Sequence, residues 1–182
     1  IGFKSNVMLI MDISGSMSGT RLTQIKSAAN QLLDAYDAQG DVAVRIVKFA
    51  SSASSTFNGA DVWVDITAAK TIINGLSAGG GTEYNAAMNK AKIAFVTGQS
   101  SKYLTGGSNV SYFLSDGQPN SSVASQEDSW ESFLIDNDIT SHAIGFGGLS
   151  NTSTLEPLAF DGTKVASSTD DHTPGEIPAA IE

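Results

Sequence analysis

The stretch NVMLIMDISGSMSG, residues 6–19, decides how this chain folds. Its first part, Asn6 to Met11, is an almost unbroken apolar run of strand length. A strand with one wet face alternates polar and apolar residues, so an unbroken run fits a central strand covered on both faces. At Asp12 the apolar character stops, and residues 12–19 have the Ser, Gly and Asp content of a loop. Leu22, Ile25, Ala29, Leu32, Leu33 and Tyr36 then fall three and four apart within Arg21 to Gln39. That spacing places one apolar stripe on a helix, with Gly40 as its stop. Buried strand, polar loop and amphipathic helix together open a parallel α/β unit.

Working outward, Val42 to Phe49 is rich in β-branched residues and reads as a second strand. Asp61 to Ile66 reads as a third. The connection between them is too short for a crossover helix, so the third is expected antiparallel at a sheet edge. Thr67 is expected to cap a short helix reaching Leu76. Gly79-Gly80-Gly81 breaks the chain, and Thr82 to Val96 offers a further helix. Asn109 to Leu114 and Ile139 to Phe146 read as strands, with a weaker helical stripe of Trp130, Phe133 and Leu134 between them. Beyond lie a short helix at Leu155 to Phe160, a last strand at Lys164 to Ser167, and a helical fragment at Ile177 to Ile181. The expected fold is α/β: a Rossmann-like three-layer sandwich with a central, mostly parallel sheet, one antiparallel edge strand, and helices on both faces. No repeat or low-complexity linker divides residues 1–182, so they are read as a single domain.

Composition narrows the function. The 182 residues suit one domain, and 41% hydrophobic content is enough for a sizeable core. Ten Lys and Arg against nineteen Asp and Glu leave a net charge of −9. That argues against nucleic acid, whose binders carry a basic footprint, and against docking on anionic lipid. With no cysteine, a disulfide scaffold, a thiolate metal site and a cysteine nucleophile are excluded. A charged fraction of 16%, with Ser, Thr, Gly and Asn filling the polar positions, leans towards an extracellular surface. The apolar run Val7 to Met11 is too short to span a membrane. The chain begins at Ile1 without a signal-peptide pattern, and it is read as a module of a longer protein.

Ligands of open α/β sheets bind beyond the carboxyl ends of the strands. Three polar clusters are expected there: Asp12, Ser14 and Ser16 after the first strand, Thr82 after the glycine run, and Asp116 after the strand ending at Leu114. All five side chains offer oxygen, which selects hard cations, Mg²⁺ or Ca²⁺ with Mn²⁺ also admitted, over Zn²⁺ or Cu²⁺. In Asp12-x-Ser14-x-Ser16, alternate residues of an extended turn can point the same way, and Gly15 permits the tight backbone between them. Two carboxylates leave a divalent site about neutral. As alternatives, Asp12 and Ser14 could cap the helix beginning near Thr20. An EF-hand loop fails because its twelfth position would be Thr23, not Glu. A phosphate-binding loop fails because Thr82-Glu83 stand where lysine is needed. A hydrolase triad from Ser16 or Ser18 with Asp116 and His142 lacks the nucleophile-elbow pattern, and His142 reads as a core histidine. Asp12 as a phosphoryl acceptor would need a lysine that neither loop supplies.

The segments DISGSMSG, GGGTEYNAA and FLSDGQPN resemble, in order and spacing, the three loops of the metal-ion-dependent adhesion site of von Willebrand factor type A domains. The resemblance covers essentially the whole chain. It implies that Asp12, Ser14, Ser16, Thr82 and Asp116 hold one divalent cation. The three hydroxyls would ligate directly and the two carboxylates often through water. It also implies an open position for an acidic group of a protein or cell-surface partner, and a binding role rather than an enzymatic one. MDISGSMSG, RLTQIKSAANQLL and YFLSDGQPN further resemble type A domains of large bacterial RTX adhesins, which implies an extracellular, cell-surface setting. The isolated domain is expected to be a monomer. The competing expectation is a spacer domain of a larger adhesin with no ligand of its own.

Overall fold

The computed structural model describes residues 3–116, 126–145 and 158. Strand β1 (Phe3–Asp12) lies at the centre of a five-stranded sheet. It pairs in parallel with β2 (Gly40–Phe49) along its full length, from Phe3 opposite Gly40 to Asp12 opposite Phe49. On its other side it pairs in parallel with β4 (Ser108–Ser115), which pairs in parallel with β5 (Ile139–Gly145). The fifth strand, β3 (Ala53–Ser54), is short, antiparallel and at the edge beyond β2. The four parallel strands therefore end on the same side of the sheet, at Asp12, Phe49, Ser115 and Gly145.

Burial on both faces explains the apolar run in β1. Val7, Leu9 and Met11 pack under helices α1 (Thr20–Asp37) and α2 (Ile66–Asn74). Met8 and Ile10 face the opposite layer, with α3 (Tyr84–Val96) and α4 (Glu127–Asp136). Period-two alternation is present, but both of its phases are apolar because both faces are covered. The expected α/β sandwich is the observed one.

Three local expectations are corrected. The antiparallel edge is made by Ala53–Ser54, not by Asp61 to Ile66, of which only Val64 bridges to Val44. Asn58 and Gly59 both take positive φ, and Phe57 and Ala60 exchange backbone bonds around them, giving a tight reversal. The residues that follow are then held by side chains rather than by a ladder. Trp63 is fully buried between Phe95 and Tyr103, and its Nε1 donates to the Phe95 carbonyl. The cap of α2 is Asp65, whose Oδ1 accepts from Ala68 N at 2.9 Å, and not Thr67. Helix α3 begins at Tyr84, so Thr82 lies ahead of it in the loop. The elements expected at Lys164 to Ser167 and Ile177 to Ile181 lie outside the described residues, as does the helix expected at Leu155 to Phe160 apart from Leu158. Leu158 is buried, and its carbonyl accepts from Trp130 Nε1 and Ser141 Oγ.

Arg45, on β2, is almost wholly buried, and its guanidinium is paired with the Asp61 carboxylate. Arg45 also donates to the Ala94 carbonyl at 2.9 Å and to Thr97 Oγ1 at 3.2 Å, so one buried cation ties β2 to the end of α3 and to the edge segment. Partial burial works against ionisation of Asp61, but hydrogen bonds from Ser55 and Arg45 and the Arg45 charge outweigh it. Its carboxyl therefore lies below its ordinary value of 3.8. Asp61→Asn should lower unfolding stability by about 1–3 kcal/mol at pH 7, since it leaves a buried guanidinium without its carboxylate. A depressed pKa contributes stability that is complete above the unfolded value and lost as pH falls through the folded one. The deficit of Asp61→Asn should therefore be constant near neutrality and shrink below about pH 3.8. Urea unfolding of both proteins across that range checks it.

Candidate metal centre

At the carboxyl end of β1 the Asp12 side chain has no exposure to solvent. Its Oδ1 accepts from the Ser14 backbone N–H at 2.8 Å, a local bond that folds the loop back over the strand end. Its Oδ2 accepts from Ser115 Oγ, at the end of β4, at 2.5 Å. Ser115 Oγ is also 2.6 Å from Tyr84 Oη. The Ser115 proton is committed to Asp12, so Tyr84 is the donor of that contact. A relay of Tyr84, Ser115 and Asp12 thus links α3, β4 and β1. Ser14 is buried and its Oγ lies 3.0 Å from Ser16 Oγ, while Ser16 is exposed. The two hydroxyls form a short path from the buried carboxylate to the surface.

Gly15 lets a second loop close on the first. Its N–H donates to the Gly80 carbonyl at 2.9 Å, and Gly79 N–H donates to the Ile13 carbonyl at 2.8 Å. A Cβ on Gly15 would lie 3.3 Å from that Gly80 oxygen. Gly80 itself has φ +88°, a conformation that disfavours any side chain. On its far side this loop is held by the turn after β2: Gly81 N–H donates to Ser51 Oγ and Glu83 N–H to the Ala50 carbonyl. Thr82, nearly buried, stands between those two anchors. Asp116, also buried, directly follows β4 and pairs with Arg21 of α1, Nη1 to Oδ2 at 3.3 Å. The same Arg21 nitrogen lies 3.4 Å from the Ser16 carbonyl.

Hydrogen bonds and charge therefore join Asp12, Ser14, Ser16 and Asp116 directly, and Thr82 joins them through the backbone bonds of its loop. Burial pushes the Asp12 carboxyl above its ordinary value. The bonds from Ser115 and Ser14 oppose that shift, and the Asp116 charge adds to it. Two buried carboxylates that repel one another fit a cation. Among the described residues no group of three or more His, Cys, Asp and Glu comes together, so such a site would lean on hydroxyls. Oxygen donors of this kind suit a hard divalent ion.

The structure also corrects the reading of the neighbouring residues. Asp12 and Ser14 do not cap α1, whose N-cap is Gly19 with no side-chain cap bond. Met17 and Tyr84, which adjoin the first two loops in sequence, are fully buried and form no part of a partner-facing rim. His142 is half-buried in mid-β5 and stacked on Tyr112, opposite it in register. That is three residues, roughly 10 Å, short of the strand end, and it gives no triad with Ser16. Ser115 and Arg21 were missed from sequence. The signal for Ser115 was its place as the last residue of a strand next to β1.

Residues 6–177 match the family model of the von Willebrand factor type A domain. The chain belongs to that family. No curated protein matches its sequence. Among solved structures it is similar to a von Willebrand factor type A protein from Catenulispora acidiphila, with TM-score 0.70 and 19% identity, covering 98% of this chain and 40% of that one. It is also similar to proximal thread matrix protein 1 from the mussel byssus in a form with a zinc-occupied MIDAS motif, with TM-score 0.67 and 18% identity over 98% of this chain and 46% of that one. A third is the PilB minor pilin from Streptococcus sanguinis, with TM-score 0.69 and 12% identity over 99% of this chain and 60% of that one. This chain thus spans less than half the length of the first two. At these identities the likeness is one of fold.

In this type A domain the Asp12–Ser115 bond is the central strut of the site. Ser115→Ala removes a neutral donor to a buried carboxylate, and should lower the stability of the metal-free protein by about 1.5–3 kcal/mol in urea unfolding at pH 7. A loss below about 0.5 kcal/mol would mean that the carboxylate does not depend on that bond.

Proposed function

We propose that this domain holds one divalent cation through Asp12, Ser14, Ser16, Thr82 and Asp116, and uses it to bind an acidic group of a protein or cell-surface partner. The observation that carries this reading is the burial of two mutually repelling carboxylates beside the Ser14–Ser16 hydroxyl pair, in loops bonded to one another. When bound, the cation supplies directed positive charge with a position open to a partner. The chain's own residues do the rest. Ser115 and the Ser14 backbone hold Asp12 in one orientation. Gly15 and Gly80 fix the spacing of two loops, and Ser16 stands at the solvent side where a partner would approach. A net charge of −9 repels an acidic partner, so affinity must come from the cation and the loop rim.

The family membership supports an interaction role rather than catalysis. Among the described residues no helix is long and apolar enough to cross a membrane. We read the setting as extracellular, within a bacterial cell-surface adhesin of the RTX type, with the isolated domain a monomer. This rests on the loop sequences, the Ser/Thr-rich surface and the missing cysteines. For the cation, the oxygen donors favour Mg²⁺ or Ca²⁺, with Mn²⁺ admitted; the zinc-occupied motif of the byssus protein adds Zn²⁺ to the ions worth testing.

Thermal unfolding of the metal-stripped domain tests the reading. An ion at 100 times its dissociation constant adds about 2.7 kcal/mol, so Tm should rise by roughly 5–10 °C with at least one of Mg²⁺, Ca²⁺, Mn²⁺ or Zn²⁺. Asp12→Ala should remain folded and show no such rise. A wild-type Tm indifferent to all four ions would overturn the metal site.

A further inference from the structure

We propose that Arg21 is an internal counter-ion that competes with the divalent cation for Asp116 and so sets the affinity of the site. This rests on the metal-binding reading above. Arg21 stands in the first turn of α1, directly after the Asp12-to-Gly19 loop, and its side chain is one-third exposed. Its Nη1 lies 3.3 Å from Asp116 Oδ2 and 3.4 Å from the Ser16 carbonyl, so it bridges the two loops that carry proposed ligands. Asp116 is buried, and its charge already bears on Asp12. In the metal-free protein such a pair of carboxylates is costly, and a guanidinium beside one of them offsets part of that cost.

The same geometry makes Arg21 an opponent of a second cation. A divalent ion held by Asp116, directly or through water, would share with Arg21 the carboxylate that Arg21 now engages, and the two positive charges would repel. The one-third exposure of its side chain gives Arg21 somewhere to go, since its long stem can carry the charged head into solvent. Metal binding is then an exchange of one cation for another at Asp116 rather than entry into an unbalanced anionic site. The site's affinity reflects the difference between the two, which keeps occupancy sensitive to the cation concentration outside.

Calorimetric titration of metal-stripped wild type, Arg21→Gln and Arg21→Lys with Mg²⁺, repeated with Ca²⁺, separates this role from a purely supporting one. Removing a competing unit charge beside a divalent ion should tighten binding by about three- to tenfold in Arg21→Gln. Arg21→Lys, which keeps the charge, should stay within about twofold of wild type, and the gain in Arg21→Gln should shrink at high salt. The metal-free Tm of Arg21→Gln should fall while its rise on adding metal exceeds that of wild type. Binding by Arg21→Gln that is equal to or weaker than wild type would overturn the competition and make Arg21 a support for Asp116. No binding by any of the three proteins would overturn the metal reading itself, and the competition with it.

Discussion

Two carboxylates buried at the carboxyl ends of adjacent parallel strands set the terms for the top of this domain. Asp12 ends β1 and Asp116 follows β4, and both carboxylates are buried away from bulk solvent. Hydrogen bonds from Ser115 and the Ser14 backbone partly compensate Asp12, and Arg21 partly compensates Asp116. What they leave uncompensated shows in the upward shift of the Asp12 carboxyl. Two such groups kept together, against the tendency of proteins to bury charge only when paired, are what the proposed cation site requires at that point. The parallel sheet makes this affordable: its strand ends are where loops from several parts of the chain can meet without disturbing the core.

The loops meet through backbone, and this determines how rigidly the side chains are held. Ile13, Gly15, Gly79 and Gly80 exchange two hydrogen bonds, while Ala50 and Ser51 hold the glycine run from behind. Thr82 is therefore fixed by the bonds of its neighbours rather than by its own side chain. The glycines are needed where a carbonyl approaches within contact of a Cβ position, at Gly15, and where φ is positive, at Gly80. Rigid loops on a rigid sheet suit a site that must hold oxygens in place before a ligand arrives.

Much of this was legible in the sequence. An apolar run interrupted at Asp12 identified a strand buried on both faces and located its end, and the stripe from Leu22 to Tyr36 marked the helix that follows and the face it buries. The Asp-x-Ser-x-Ser spacing, the glycine run and Asp116 marked the three loops because each follows a strand or precedes a helix. The edge of the sheet was harder. Asp61 to Ile66 has the alternation of a strand, yet its backbone follows two side-chain commitments that no periodicity records: Asp61 to buried Arg45, and Trp63 to the cleft between Phe95 and Tyr103. The turn signal Asn58-Gly59 was present and points to the reversal that displaced the strand. Ser115, Arg21 and the buried bond of Tyr84 to Ser115 escape a reading by periodicity for a related reason. Their roles depend on which strand lies beside β1 and on how α1 and α3 approach it, and both are matters of tertiary arrangement.

An oxygen-only donor set admits more than one hard divalent ion, so the site is tested most directly by where an ion binds. Diffraction from crystals grown with Mn²⁺, recorded where manganese scatters anomalously, locates it. One anomalous peak is expected, enclosed by the hydroxyls of Ser14, Ser16 and Thr82, with Asp12 and Asp116 alongside. A map with no peak there, or with manganese bound only elsewhere on the domain, would contradict it.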